Sequence, residues 1–381
     1  MDRAEAGLNG ANQVRRLAVV GVGLMGGSFA LAAKRAGVQS VVGFDPDADA
    51  LNAARELGVV DQAAASPIEA AAGADVVLLG TPVRAIPALA ELVSTADPAP
   101  HVVTDIGSTK TSIIAGLSDR AAECFVGGHP MCGAETSGVR FARVDLYEGA
   151  SYFLTPSARV RPMVYERLHG LVAAIGARPV RIEPEAHDQI MARVSHVPHV
   201  LANVLMNQVG SYSAGGRRAL HSVGPSFKDL TRVAGANPRM WRDIFLENRE
   251  ALISSLEAVK DELDEFCRQL RQEDLEGVVE NIGEARSYRR QLLELEDLEP
   301  ENLFRVVARI PDQPGVLGEV TGALAEASIN VEDLTLHHFN RETGGDLVLY
   351  VSGERAADSA AALLSARGYA TFVSSPRVSG E

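Results

Sequence analysis

Cysteine is scarce: 381 residues contain only three, Cys124, Cys132 and Cys267. An odd number without metal-ligand spacing argues against a disulfide framework and a zinc site, and no bound metal is expected. Positive charge is in deficit, with 36 Lys and Arg against 50 Asp and Glu and a formal net charge of −14. Nucleic acid and anionic membrane surfaces reward clustered Lys and Arg, so neither is expected as a partner. An anionic substrate therefore requires positive charge gathered locally. Long apolar runs are missing too. Nothing approaches the roughly 18 consecutive apolar residues of a membrane span. The first sixteen residues, MDRAEAGLNGANQVRR, are charged and polar where a signal peptide needs an apolar stretch. A cytoplasmic protein is expected.

With 46% hydrophobic residues the chain can bury sizeable cores, and its length suits two or three domains. Residues 14–182 alternate short β-branched runs, at 17–20, 41–45, 76–80, 102–105, 125–127, 152–154 and 179–182, with amphipathic stretches such as 46–57, stopped by Gly58. That alternation predicts an α/β Rossmann-type, doubly wound domain, a parallel sheet with crossover helices. Over 183–297 the strand signal vanishes, and stretches of 3.6-residue period, including 187–209 and 238–270, predict an all-α domain. A cleft between sheet and helices is a usual place for a small-molecule site. The acidic run ELEDLEPEN, Glu294 to Asn302, reads as a linker. Residues 301–376 then read strand 303–310, helix 315–327, strands 329–340 and 345–352, helix 356–366 and strand 369–373, a ferredoxin-like α+β module.

The stretch RRLAVVGVGLMGGS places Gly21, Gly23 and Gly26 as GxGxxG between an apolar strand and a helix. Gly21 permits the tight turn, Gly23 lets backbone approach a pyrophosphate, and Gly26 permits close helix packing. The helix N-terminus supplies N–H groups and positive dipole. A second strand ends at Asp45, where a carboxylate binds ribose hydroxyls and repels a 2′-phosphate, and no Arg follows in Pro46-Asp47-Ala48-Asp49. NAD is favoured over NADP.

Further along, GGHPMCGAE sets His129 between Gly127-Gly128 and Pro130, near the carboxyl end of a predicted strand, where open α/β sheets place ligands. DIGSTK closes the preceding strand and exposes Ser108 on the same rim. The helical segment contributes VSHVPH, with His196 and His199, and FKDLTR, with Lys228, Asp229 and Arg232. A neutral imidazole beside an oxidisable alcohol takes the hydroxyl proton as hydride leaves for a nicotinamide. Arg232 offers a planar fork for a carboxylate. Other readings stay open here: His196 and His199 as packing residues or, with His187 and Asp188, as metal ligands; Arg232 as a surface ion-pair former; Cys132 as a nucleophile. A dehydrogenase acting on other hydroxy acids leaves HPMCG and FKDLTR unexplained, and a non-enzymatic nucleotide sensor leaves His129, Ser108 and Arg232 unexplained.

Together VGVGLMGGS, DIGSTK, GGHPMCGAETSG, SHVPH and FKDLTRVAGANPRMWRDIFLEN resemble the TyrA family of prephenate and arogenate dehydrogenases. DQPGVLGEVTGALAEASINVEDL resembles the first turn of an ACT domain. The resemblance implies oxidative decarboxylation of prephenate to 4-hydroxyphenylpyruvate, with arogenate as the alternative substrate and a homodimer formed through the all-α dimerisation domain. It implies His129 as base, Ser108 as the residue orienting that imidazole and the nicotinamide, and His199, Arg232, Glu135, Ser195, His196 and Lys228 around the substrate. A contact between His187 and Asp229 is implied to close the site. Leu24, Met25 and Thr81 join the glycines, Asp45 and Ser108 at the cofactor. In the ACT module, Asp312, Pro314, Gly315, Val316, Leu317 and Asn330 are implied to hold an effector, tyrosine. One departure is Val223-Gly224-Pro225-Ser226, where the family has a glycine cluster, which predicts a stiffer loop beside the pocket.

Overall fold

The computed structural model describes residues 14–133, 136–214, 217–296, 303–340 and 344–374. Two compact units divide between Leu263 and Asp264.

The first unit is built on an eight-stranded sheet: β1 (Arg16–Val20), β2 (Ser40–Phe44), β3 (Gln62–Ala63), β4 (Val76–Leu79), β5 (Val102–Asp105), β6 (Phe125–Pro130), β7 (Ser151–Pro156) and β8 (Arg178–Arg181), in the order β3-β2-β1-β4-β5-β6-β7-β8. Alternation along β1 sends Leu17 and Val19 into one core with Phe29 and Leu168, and Ala18 and Val20 into another with Ile86 and Val93. Helices cover both faces, which is why these strands read as continuous apolar runs. Asp47 caps the helix Ala48–Glu56 by accepting from the backbone N–H groups of Asp49 and Ala50. Gly58, at φ +69°, follows that helix.

The expectation of an all-parallel sheet needs correcting. β6 pairs antiparallel with β7, His129 facing Phe153, and β8 runs parallel to β7. A parallel return needs a crossover helix, whereas among the described residues between β6 and β7 the only helical element is the 3-10 turn Val139–Phe141. The two-residue strand β3 also lacked a sequence signal.

Between β8 and Glu296 the regular elements among the described residues are helical apart from a short hairpin, Ser213–Ala214 against Arg217–Arg218. The expected helix at 187–209 is a longer run: α-helix Pro184–Met191, a π-helical turn Ala192–His196, and α-helix Val197–Ser211. Pro198 lies in the first turn of the last segment. π-turns are rare and frequently mark functional sites. The expected helix at 238–270 is instead broken at Asn248, between Pro238–Glu247 and Arg249–Arg271. The Asn248 amide is buried and used elsewhere, as described below.

In the second unit, strands Leu303–Ile310, Asp333–Asn340, Gly344–Ser352 and Ala370–Ser374 form an antiparallel sheet with Leu303–Ile310 between Gly344–Ser352 and Ala370–Ser374. Helices Val316–Glu326 and Glu354–Ala366 close a core around Val306, Val320, Leu349 and Leu364. This is the ferredoxin-like order expected from the sequence.

Candidate active site

The glycine loop leaves β1 and enters the helix Leu24–Arg35. Gly21 sits at φ +96°, and a Cβ there would lie 2.4 Å from the Gly80 carbonyl oxygen. Gly26 is equally tight, its Cβ position 2.2 Å from the Gly21 carbonyl oxygen. Gly23, at the helix N-cap, has nothing within 4 Å of its Cβ position. The first two glycines are demanded by the protein's own backbone, while the third leaves open space at a helix N-terminus, the shape a pyrophosphate fits. Asp45 accepts from Val22 N at 2.9 Å and from Asp47 N at 2.9 Å, which fixes its carboxylate beside the loop. The Thr81 hydroxyl, next to Gly80, is buried without a hydrogen-bond partner. Leu24 is buried, and the Met25 carbonyl accepts from the Tyr147 hydroxyl at 2.9 Å. These residues fit a dinucleotide.

β4, β5 and β6 run parallel, so their carboxyl ends share a rim with the glycine loop. Ser108 lies half-buried beyond β5 and His129 half-buried near the end of β6. Beneath them is a charged core whose parts were not singled out in the sequence. Asp105 and Lys110 are both fully buried and paired at 2.5 Å. Asp105 also accepts from Gly107 N at 2.8 Å and Gly128 N at 2.9 Å, tying the β5 loop to β6. Gly127 and Gly128 are required by this packing. A Cβ on Gly127 would meet Thr155 Oγ1 at 2.3 Å, and one on Gly128 would meet the Asp105 carbonyl oxygen at 2.4 Å. The glycines before His129 thus admit the polypeptide's own atoms.

His129 Nδ1 lies 2.8 Å from His187 Nε2, and His187 Nδ1 lies 2.8 Å from Asp188 Oδ1. Asp188 also accepts from Lys110 N at 2.9 Å and Thr111 N at 2.8 Å. These bonds lower its pKa against the opposing effect of burial, which is the largest single influence. Burial, then His187, Lys110 and His196, hold the His129 imidazole well below the usual histidine value. It is therefore neutral at neutral pH and able to accept a proton. Among the described residues no hydrogen bond joins Ser108 to His129 or His187 to Asp229; the imidazole is held by His187, and His187 is engaged by Asp188.

The π-turn contains Ser195, half-buried, and His196, which is buried and turned toward Asn248. Asn248 Nδ2 donates to the Asp188 carbonyl at 2.8 Å and to His196 Nδ1 at 3.1 Å, so the helix break at Asn248 joins two helices through one amide. Burial brings His196 down to about 4. His199 stacks on Trp241 with ring centroids 3.7 Å apart, and its buried Nδ1 has no hydrogen-bond partner. Lys228 and Arg232 are exposed, on a short helix Pro225–Thr231 and a 3-10 turn Arg232–Gly235 that pack against Val197–Ser211. Glu135 lies outside the described residues. No group of three His, Cys, Asp or Glu among the described residues could hold a metal, and no helix there is long and apolar enough to cross a membrane. The missed pair had a faint signal, since Asp105 and Lys110 bracket DIGSTK; His187 and Asp188 were named in the sequence, but not as partners of His129.

In the second unit a pocket of about 230 Å³ is lined by residues that include Asp312, Pro314, Gly315, Val316 and Leu317. Gly315, at φ +93°, is the N-cap of the helix that begins there. Asn330 is not among the lining residues; its amide donates to Glu332 at 2.9 Å.

Three family models match the chain: the nucleotide-binding domain of prephenate dehydrogenase over residues 29–181, its dimerization domain over 183–284, and the ACT domain over 304–365. A prephenate dehydrogenase of Bacillus subtilis is 31% identical over 378 residues, 95% of this chain and 99% of the relative. A cyclohexadienyl dehydrogenase of Zymomonas mobilis is 31% identical over 290 residues, 75% of this chain and 99% of the relative. Among solved structures, Aquifex aeolicus prephenate dehydrogenase in complex with hydroxyphenyl propionate and NAD+ superposes with a TM-score of 0.70 at 32% identity, covering 74% of this chain and 99% of that one.

Proposed function

The chain belongs to the prephenate dehydrogenase family and is an NAD-dependent oxidoreductase, and from that premise we propose that it converts prephenate to 4-hydroxyphenylpyruvate, with tyrosine as effector at the ACT module. The observation that carries the reading is a neutral imidazole, His129, held on the rim of the sheet that carries the glycine loop.

Gly23 and the N-terminus of Leu24–Arg35 would hold the cofactor pyrophosphate, and Asp45 would read the adenosine ribose. NAD bound there would supply the acceptor for a hydride from the carbinol carbon of the substrate. His129 Nε2 takes the hydroxyl proton as the carbinol becomes a ketone. The ring carboxylate then leaves as carbon dioxide, its bonding pair enters the ring, and the oxygen recovers the proton from His129 as a phenol. The proton balance closes, so His129 ends as it began. Aromatisation makes the sequence effectively irreversible, and the protein's task is positioning. Arg232 binds a substrate carboxylate, Lys228 adds positive charge beside it, and the orphaned Nδ1 of His199 meets the substrate with Ser195 and His196. Ser108, half-buried on the same rim, would orient the nicotinamide. Glu135 completes the pocket in the family resemblance. The helical domain pairs two copies of the chain.

A second reading, use of arogenate as well, is favoured by the match to a cyclohexadienyl dehydrogenase. The decisive assay supplies prephenate and arogenate separately with NAD or NADP and follows reduced-cofactor absorbance, with and without tyrosine. Turnover of prephenate with NAD, reduced by tyrosine, is the expected result; turnover of arogenate alone, or of neither, overturns the proposal. In Arg232→Ala the KM for prephenate should rise about tenfold or more, with kcat changing less, because a charge-assisted carboxylate contact is lost. An unchanged KM would make Arg232 a structural residue.

A further inference from the structure

We propose that His187 and Asp188 are positioning residues that fix the tautomer of His129, so that its Nδ1 carries hydrogen and its Nε2 presents a lone pair to the substrate. The inference rests on His129 being the base. It follows from counting hydrogens along a chain of three groups.

Asp188 accepts at Oδ1 from the Lys110 backbone N–H and at Oδ2 from the Thr111 backbone N–H. It therefore faces two obligatory donors and acts as a carboxylate, with no hydrogen to give. The nitrogen 2.8 Å from its Oδ1, His187 Nδ1, must supply the hydrogen of that contact. A neutral His187 then has a bare Nε2. That Nε2 is 2.8 Å from His129 Nδ1, and the contact needs one hydrogen, which only His129 can provide. The remaining nitrogen of a neutral His129 is Nε2, with its lone pair available. The two ring planes are inclined at 72° with centroids 5.0 Å apart, and they meet through the two ring nitrogens. Phe153 packs edge-on against His187 from β7 at 5.6 Å, limiting rotation of that ring.

The charged and titratable groups around the pair are consistent with this arrangement. Lys110 and Asp105 lie below it as a buried ion pair, and His196 lies beyond Asp188 with its Nδ1 taken by Asn248. Burial lowers His187, and this outweighs the opposing pull of Asp188. A neutral His187 follows, as the hydrogen count requires. When His129 takes the substrate proton, the imidazolium it forms donates from Nδ1 to His187 more strongly than the neutral ring does. Asp188 completes the polarisation. The order Asp–His–base uses the physics by which a buried carboxylate orients a catalytic imidazole in hydrolases, with a second histidine interposed.

The test has one arm that needs no turnover. Imidazole 15N chemical shifts of the free wild-type enzyme, assigned by the signals lost in His129→Asn, should place hydrogen on Nδ1 of His129. Hydrogen on Nε2 overturns the proposal whatever the enzyme's substrate proves to be. The second arm compares His187→Ala with His187→Gln. Gln places an acceptor oxygen near the position of His187 Nε2, whereas Ala offers none. With prephenate, His187→Ala should lose kcat by about 10²-fold, with KM and NAD affinity within about threefold of wild type. His187→Gln should recover at least tenfold of that loss. A kcat for His187→Ala within threefold of wild type, or no recovery by Gln when both variants are folded, overturns the proposal. If Ala at 187 does not fold, the wild-type shifts and the Gln variant decide. If wild-type enzyme turns over neither prephenate nor arogenate, the assignment of function fails while the tautomer measurement still stands or falls by itself.

Discussion

In His129→Asn, kcat on prephenate falls by about 10²-fold or more, while the affinity for NAD is unchanged. The Asn side chain places an amide N–H near the position of the imidazole Nδ1, so the hydrogen bond to His187 survives and the strand keeps its geometry. What is lost is the lone pair at Nε2, and with it the group that receives the hydroxyl proton. Steady-state kinetics with calorimetric titration of NAD separate the two quantities. A kcat within threefold of wild type would place the base elsewhere. The wild-type pH profile carries the same information with a definite sign. The His129 pKa is lowered in the fold, so the imidazole remains neutral through pH 6.5 and the acid limb of kcat/KM lies below that value. Stability follows the same direction. His129, His187 and His196 are all lowered, so the unfolded chain binds more protons than the native one as pH falls below about 6.5, and stability declines over that window. An acid limb centred above 6.5 would mean that the protonated imidazole is not disfavoured by its surroundings.

The second large effect lies under the site. Lys110→Ala leaves Asp105 fully buried, with two backbone donors and no counter-charge. Removing one partner of such a pair costs about 3–5 kcal/mol, because the remaining charge cannot be rehydrated. For a unit of this size that lowers the apparent melting temperature by on the order of 10 °C. The double variant Asp105→Asn, Lys110→Met removes both charges with side chains of similar volume and should recover at least half of that loss. A shift below about 2 °C in Lys110→Ala would show that the pair contributes little to stability. Lys110 is also one of the charges that lower His129, so Lys110→Met should move the acid limb of activity upward in pH.

Some of this was legible in local sequence. The GxGxxG turn is read from three glycines because Gly21 and Gly26 lie where any side chain would strike backbone within 2.4 Å. Asp45 could be placed because it ends a strand of clear β pattern, and His129 because a histidine between two glycines and a proline is an unusual composition beside a strand end. The ferredoxin-like order of the second unit followed from period alone, with each strand and helix carrying its own apolar face. The antiparallel turn from β6 to β7 was not legible, since strand direction depends on what the connection packs against. Nor was the break at Asn248, whose helix-favouring neighbours hide an amide shared between the Asp188 carbonyl and His196.

What the sequence by itself determined was the inventory: a dinucleotide loop, a rim histidine, a helical partner segment and an effector-type module, each set by residues within a few positions of one another. What only the tertiary structure decided was how the histidine is held. His129 and His187 are 58 positions apart, and Lys110 and Asp188 are 78 apart, yet the chain Asp188–His187–His129 closes with two contacts of 2.8 Å. The family resemblance implied a contact of His187 with Asp229 and an orienting role for Ser108, and neither named the Asp188–His187–His129 chain. The physical reason is that a hydrogen bond between distant segments has no sequence period. It depends on the packing of a helix against a sheet, and a buried charge such as Asp188 reveals its role only when its donors are counted in space.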